Sequence, residues 1–98
     1  MKAKKNYATV KCADGFSMSV QASRTHYCNP QNDRGPYDCV EVGFPSSYDF
    51  YLRNYAEDPG DPTGTVYGYV PADTISMCID AHGGMVEGEL PPLIKTET

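Results

Sequence analysis

The sequence predicts an α+β domain of two layers, an antiparallel or mixed sheet of about five strands packed by one amphipathic helix, with a short helical turn besides. Three observations predict it. Phe16, Met18, Val20 and Ala22 alternate with Ser17, Ser19, Gln21 and Ser23, the period of a half-buried strand. At 100° per residue Ala72, Ile75, Cys78, Ile79 and His82 fall within about 120° of arc, opposite Asp73, Ser76 and Asp80. Finally, the chain has 98 residues, enough for one modest core, and 40% of them are hydrophobic.

The elements follow in order. Residues 7–12 read as a strand, with Ala8, Val10 and Cys12 on one face. Asp14-Gly15 supplies the turn into the strand of residues 16–23. Residues 24–36 carry Asn29-Pro30, Asn32-Asp33 and Gly35-Pro36 and form a long loop. Residues 37–44 make a third strand with Val40, Val42 and Phe44 facing the core, ended by Pro45. Ser47 then caps a short helix whose Tyr48, Tyr51, Leu52 and Tyr55 stand at i, i+3, i+4 and i+7. After the breakers of residues 57–62, residues 64–70 form a fourth strand, Val66 and Gly68 opposite Tyr67 and Tyr69. Residues 71–82 are the main helix: Pro71 suits its first position, Asp73 and His82 suit its dipole, and Gly83-Gly84 stops it. Residues 85–89 close the sheet. A basic arm (1–6) and a polar tail (93–98) flank this single domain.

Charge is unevenly distributed. Residues 1–34 hold six bases against two acids, residues 35–98 two bases against eleven acids, and the net charge is −5. An acidic body repels phosphate, which argues against direct binding of duplex nucleic acid and favours a basic protein surface as partner. No run approaches the ~18 apolar residues of a membrane span. The basic amino terminus lacks the apolar stretch of a secretion signal, so a cytoplasmic location is expected. There, Cys12, Cys28, Cys39 and Cys78 serve as free, core-packed thiols.

The motifs exclude more chemistry than they suggest. His26, Cys28, Cys39, Cys78 and His82 are zinc-ligand types, but no Cys-x-x-Cys pair exists and the Cys78-x₃-His82 pair lies on the face to be buried, so no metal centre is expected. No nucleophile elbow or His-Glu-x-x-His is present, and no residue is nominated to orient His82 as a base, so no catalytic residue and no cofactor is expected. Gly64-x₃-Gly68 lies in a strand with no Lys-Ser/Thr after it, which is not a phosphate loop.

The remaining feature is aromatic. Tyr48, Tyr51 and Tyr55 are interleaved with Asp49, Glu57, Asp58 and Asp61, with Arg53 as the one base of the stretch. Tyrosine offers rigid amphipathic contact area, and carboxylates among aromatic rings resemble the phosphates and bases of a nucleic-acid strand. These seven residues form the expected partner-binding surface.

Residues 14–23 (Asp-Gly-Phe-Ser-Met-Ser-Val-Gln-Ala-Ser), residues 62–71 (Pro-Thr-Gly-Thr-Val-Tyr-Gly-Tyr-Val-Pro), His82-Gly83-Gly84 and residues 88–92 resemble small accessory proteins of bacteriophages and prophages. The resemblance implies a stand-alone inhibitor of host defence, of anti-CRISPR type, that binds a host protein or ribonucleoprotein. A different class of function is a homo-oligomer that sequesters an anionic nucleotide, with Arg24, Arg34 and the Lys2-Lys4-Lys5 head on phosphate and Tyr27 or Tyr37 stacked on the base. A minor virion component is the third.

Overall fold

A computed structural model describes residues 6–94. It shows one five-stranded antiparallel sheet, β1 (Val10–Cys12), β2 (Ser17–Gln21), β3 (Cys39–Gly43), β4 (Val66–Pro71) and β5 (Met85–Glu87), in the order β4-β3-β2-β1-β5. The helix α1 (Ala72–Ala81) runs from β4 at one edge of the sheet to β5 at the other. The expected α+β architecture is therefore present. The basic arm, apart from Asn6, and the end of the polar tail lie outside the described residues.

The expected alternation holds from Phe16 to Ala22, with Phe16, Met18, Val20 and Ala22 buried, and fails at Ser23, which is buried although it was assigned to the polar face. Val10, Cys12, Val40, Val42, Tyr67 and Val70 line the same core, and Ile75, Cys78 and Ile79 of α1 close over it. Pro71 is the N-cap with extended backbone rather than the first helical residue. Gly83 and Gly84 take the left-handed φ values of +90° and +95° that stop the helix, and Gly84 N–H donates to the Ile79 carbonyl at 2.9 Å. Leu93 and Ile94 do not trail off as polar tail. Tyr37 N–H donates to the Pro92 carbonyl and Ile94 N–H to the Tyr37 carbonyl, which fastens this segment to the start of the third strand region.

Three expectations fail, two about side-chain direction for a backbone reason and one about a helix. Phe44 was expected in the core but is 60% exposed, because at φ +50° the chain turns left-handed and buries Pro45 instead. In β4 the strict alternation breaks: Val40 faces Val70 while Val42 faces Tyr67, so two residues of β3 span three of β4. The extra residue is a bulge with Tyr69 at φ +54°, which turns its ring outward while Tyr67 and Val70 both point inward. The Ser47-capped helix is reduced to a single 3-10 turn, Arg53–Tyr55. Asp49, not Ser47, takes the orphan amides, accepting from Tyr51 N–H at 2.8 Å and Leu52 N–H at 3.1 Å.

Candidate interaction surface and the His82 centre

The seven residues of the expected surface separate into two groups. Tyr48 is 59% exposed, and Glu57, Asp58 and Asp61 are exposed. Tyr51 and Tyr55 are half-buried against the core, and Asp49 is buried. The exposed carboxylates are held by the edge of the sheet. Ala56 bridges Tyr67 and Glu57 N–H donates to the Val66 carbonyl at 2.9 Å, so the acidic loop begins as a strip paired to β4. Asp58 N–H and the Thr65 hydroxyl then close the loop at 3.2 Å. The Tyr67 phenol, which donates to the Pro62 carbonyl, is pushed up by burial first and then by the charges of Asp49 and Asp61 and by Tyr48.

The bulge extends this surface beyond the expected segment. Tyr69 N–H donates to the Tyr27 carbonyl at 3.1 Å, and the two rings sit 5.9 Å apart, tilted by 32°. Tyr27 N–H in turn donates to Glu41 Oε1 at 2.9 Å. Gly68 makes the approach possible: a Cβ there would lie 3.3 Å from Tyr27 Cβ and 3.5 Å from Glu57 Oε2. Glu57 therefore sits between the Tyr27–Tyr69 pair and the loop of Asp58 and Asp61. The result is an arc along β4 that runs from the Tyr27–Tyr69 pair through Glu57 to the acidic loop of Asp58 and Asp61. Arg53, the base of this stretch, is folded back, its guanidinium 3.8 Å from the centre of the Phe50 ring and its Nη1 donating to the Phe50 carbonyl.

Tyr69 was missed because its parity depends on the bulge, which has no local signature. The tilted, exposed Tyr27 stood in the sequence as a base-stacking candidate, together with Tyr37. Tyr37 is wholly buried, its hydroxyl donating to the Asn32 carbonyl at 2.8 Å, and Arg24 lies 3.7 Å from Asp33. The nucleotide-sequestering constellation thus loses one of its two rings.

A second constellation lies at the C-terminal end of α1. His82, the C-cap of α1, places Nε2 2.7 Å from Asp49 Oδ1 and Nδ1 2.7 Å from Asp14 Oδ2, with its ring stacked 3.9 Å from Phe16 at 5°. Capping the helix is thus a small part of its role. The turn that carries Asp14 is sewn to the helix end by Ala13 N–H to the Gly84 carbonyl and Asp14 N–H to the His82 carbonyl. With both ring nitrogens facing carboxylates, the imidazolium satisfies both contacts. Burial lowers the His82 pKa, but the hydrogen bonds and charges of Asp14 and Asp49 outweigh it and raise the value above the ordinary 6.5. The Cys78 thiol, one helical turn earlier, is pushed up by burial first and by the neighbouring Asp49 carboxylate next. In this arrangement the ring has no free lone pair for general-base work, and the Cys78 thiol has no solvent access.

One feature of the sequence did point toward this centre. A histidine on a helical face that must be buried requires a polar partner, but nothing local names Asp14 or Asp49. All four cysteines are free thiols, three of them buried. No protein-family model, no curated protein and no solved structure matches the chain.

Proposed function

We propose that the protein is a non-catalytic inhibitor of the phage-accessory kind, which docks the arc along β4 on a basic, nucleic-acid-handling surface of a host defence complex and occludes it. The observation that carries this reading is the run of exposed Tyr27, Tyr69, Glu57, Asp58 and Asp61 along one sheet edge, with Tyr48 exposed as well. The tyrosines are the contact area, two of them set by packing and by a bulge rather than by flexible loop. The carboxylates accelerate encounter with a basic surface and bring lysine or arginine into register, an effect that fades with salt. The net charge of −5 acts in the same sense. Tyr69 keeps a left-handed backbone that an L-residue adopts at a cost of roughly 1–2 kcal/mol. Strain of this kind gathers at binding sites.

The test is competition. A complex captured from the host by the tagged protein is purified, and its affinity for its nucleic acid is measured with and without the protein. The expected result is loss of nucleic-acid binding, weakened by added salt and abolished by Asp58→Lys/Asp61→Lys in a protein that still folds. Full nucleic-acid affinity in the presence of the protein, or undiminished competition by the charge-reversed variant, overturns the reading.

A further inference from the structure

We infer that Asp49, Cys78 and His82 form a binding site for a zinc-type divalent cation. The Asp49 carboxylate, the Cys78 sulfur and a His82 ring nitrogen all lie within 4.8 Å of one another. They come from two separate segments: Cys78 and His82 stack one turn apart on the inner face of α1, while Asp49 arrives from the segment after β3. Thiolate, imidazole and carboxylate together suit zinc rather than magnesium or calcium, which take oxygen ligands.

The surroundings are those of a ligand set. A metal-bound histidine coordinates through one ring nitrogen and donates the other N–H to a carboxylate. Nδ1 of His82 already has this partner in Asp14 Oδ2 at 2.7 Å, leaving Nε2 for the ion. The second oxygen of Asp49 is fixed by the amides of Tyr51 and Leu52, so its first oxygen is aimed. Nε2 and Oδ1 are 2.7 Å apart and have to separate to about 3.3 Å for a tetrahedral ion at zinc bond lengths. A shift of that size is within the reach of a helix cap and a loop. His82, with 18% of its side chain exposed, is the open side of the site, where a water completes the shell.

Charge balances as well. With an imidazolium, two carboxylates and a thiol, the metal-free cluster carries one negative charge in total. Entry of one divalent ion displaces the Nε2 proton of His82 and the thiol proton of Cys78 and leaves the same total, so the buried site gains no net charge. Two protons leave to solvent for each ion bound.

The experiment uses the reduced, chelator-treated full chain titrated with Co²⁺ and then Zn²⁺. The expected results are a thiolate-to-cobalt charge-transfer band saturating at one ion per chain, release of two protons per ion in weakly buffered indicator solution, and displacement of cobalt by zinc. Cys78→Ser should remove the band. Asp14→Asn, which leaves all three ligands in place, should weaken binding by about 10- to 100-fold. Circular dichroism establishes that each variant is folded. Absence of the band and of proton release in folded wild-type protein overturns the inference, as does a band that survives Cys78→Ser; the cluster is then a hydrogen-bonded ion pair and nothing more.

Discussion

Replacing His82 by alanine in chelator-treated protein tests the structural reading of the centre most directly. The substitution leaves Asp49, whose side chain is 4% exposed, with two backbone amides and no counter-charge. Breaking a buried pair by deleting one partner costs about 3–5 kcal/mol, chiefly from the stranded charge. The Asp14 side contributes far less, because that carboxylate is 50% exposed and water replaces its partner. At about 4–8 °C per kcal/mol for a domain of this size, Tm should fall by at least ~12 °C. The assay is thermal and urea unfolding followed by circular dichroism, combined with two double-mutant cycles. Coupling of His82 to Asp49 should exceed coupling to Asp14, within the roughly 0.5–3 kcal/mol seen for contacting groups. A Tm drop of only a few degrees, or equal coupling to the two carboxylates, refutes the reasoning that burial decides which contact matters.

Three further outcomes are expected. Because the His82 pKa is raised on folding, its contribution to stability is complete below the unfolded value of about 6.5 and is lost as pH rises through the folded value; metal-free protein should therefore lose urea stability across that window, and His82→Gln should flatten the loss. Phe44→Asn should leave the urea midpoint unchanged or raise stability by up to about 1 kcal/mol, since asparagine tolerates φ +50° and the exposed ring packs little; a loss above about 1 kcal/mol would show that the ring is an anchor of the fold. Native protein should react with a thiol reagent at Cys39 alone and slowly, because burial and Asp38 push that thiol up to about 11, whereas all four cysteines should react in denaturant; rapid native labelling of Cys78 would contradict its burial.

Several of these outcomes depend on features that no local pattern carries. The strand of Phe16 to Ala22 and the helix of Ile75 to Ile79 were legible because one face of each meets a core, and a one-sided element writes its period into the chain. Phe44 and Tyr69 were not, since a single left-handed residue reverses the parity of everything beside it while leaving composition untouched. Asp49 read as one surface acid among several in an acidic stretch.

By itself, then, the sequence determined the class of the fold, the amphipathic helix, the charge of the body and the wealth of tyrosine. Tertiary structure alone decided which tyrosines face outward and which carboxylates meet His82. The physical reason is separation along the chain. His82 meets Asp49 across 33 residues and Asp14 across 68, and such contacts exist only because α1 carries the chain from one edge of the sheet to the other, bringing its end against the first hairpin. Local periodicity reports that a face is buried; only closure of the sheet under the helix selects what it is buried against.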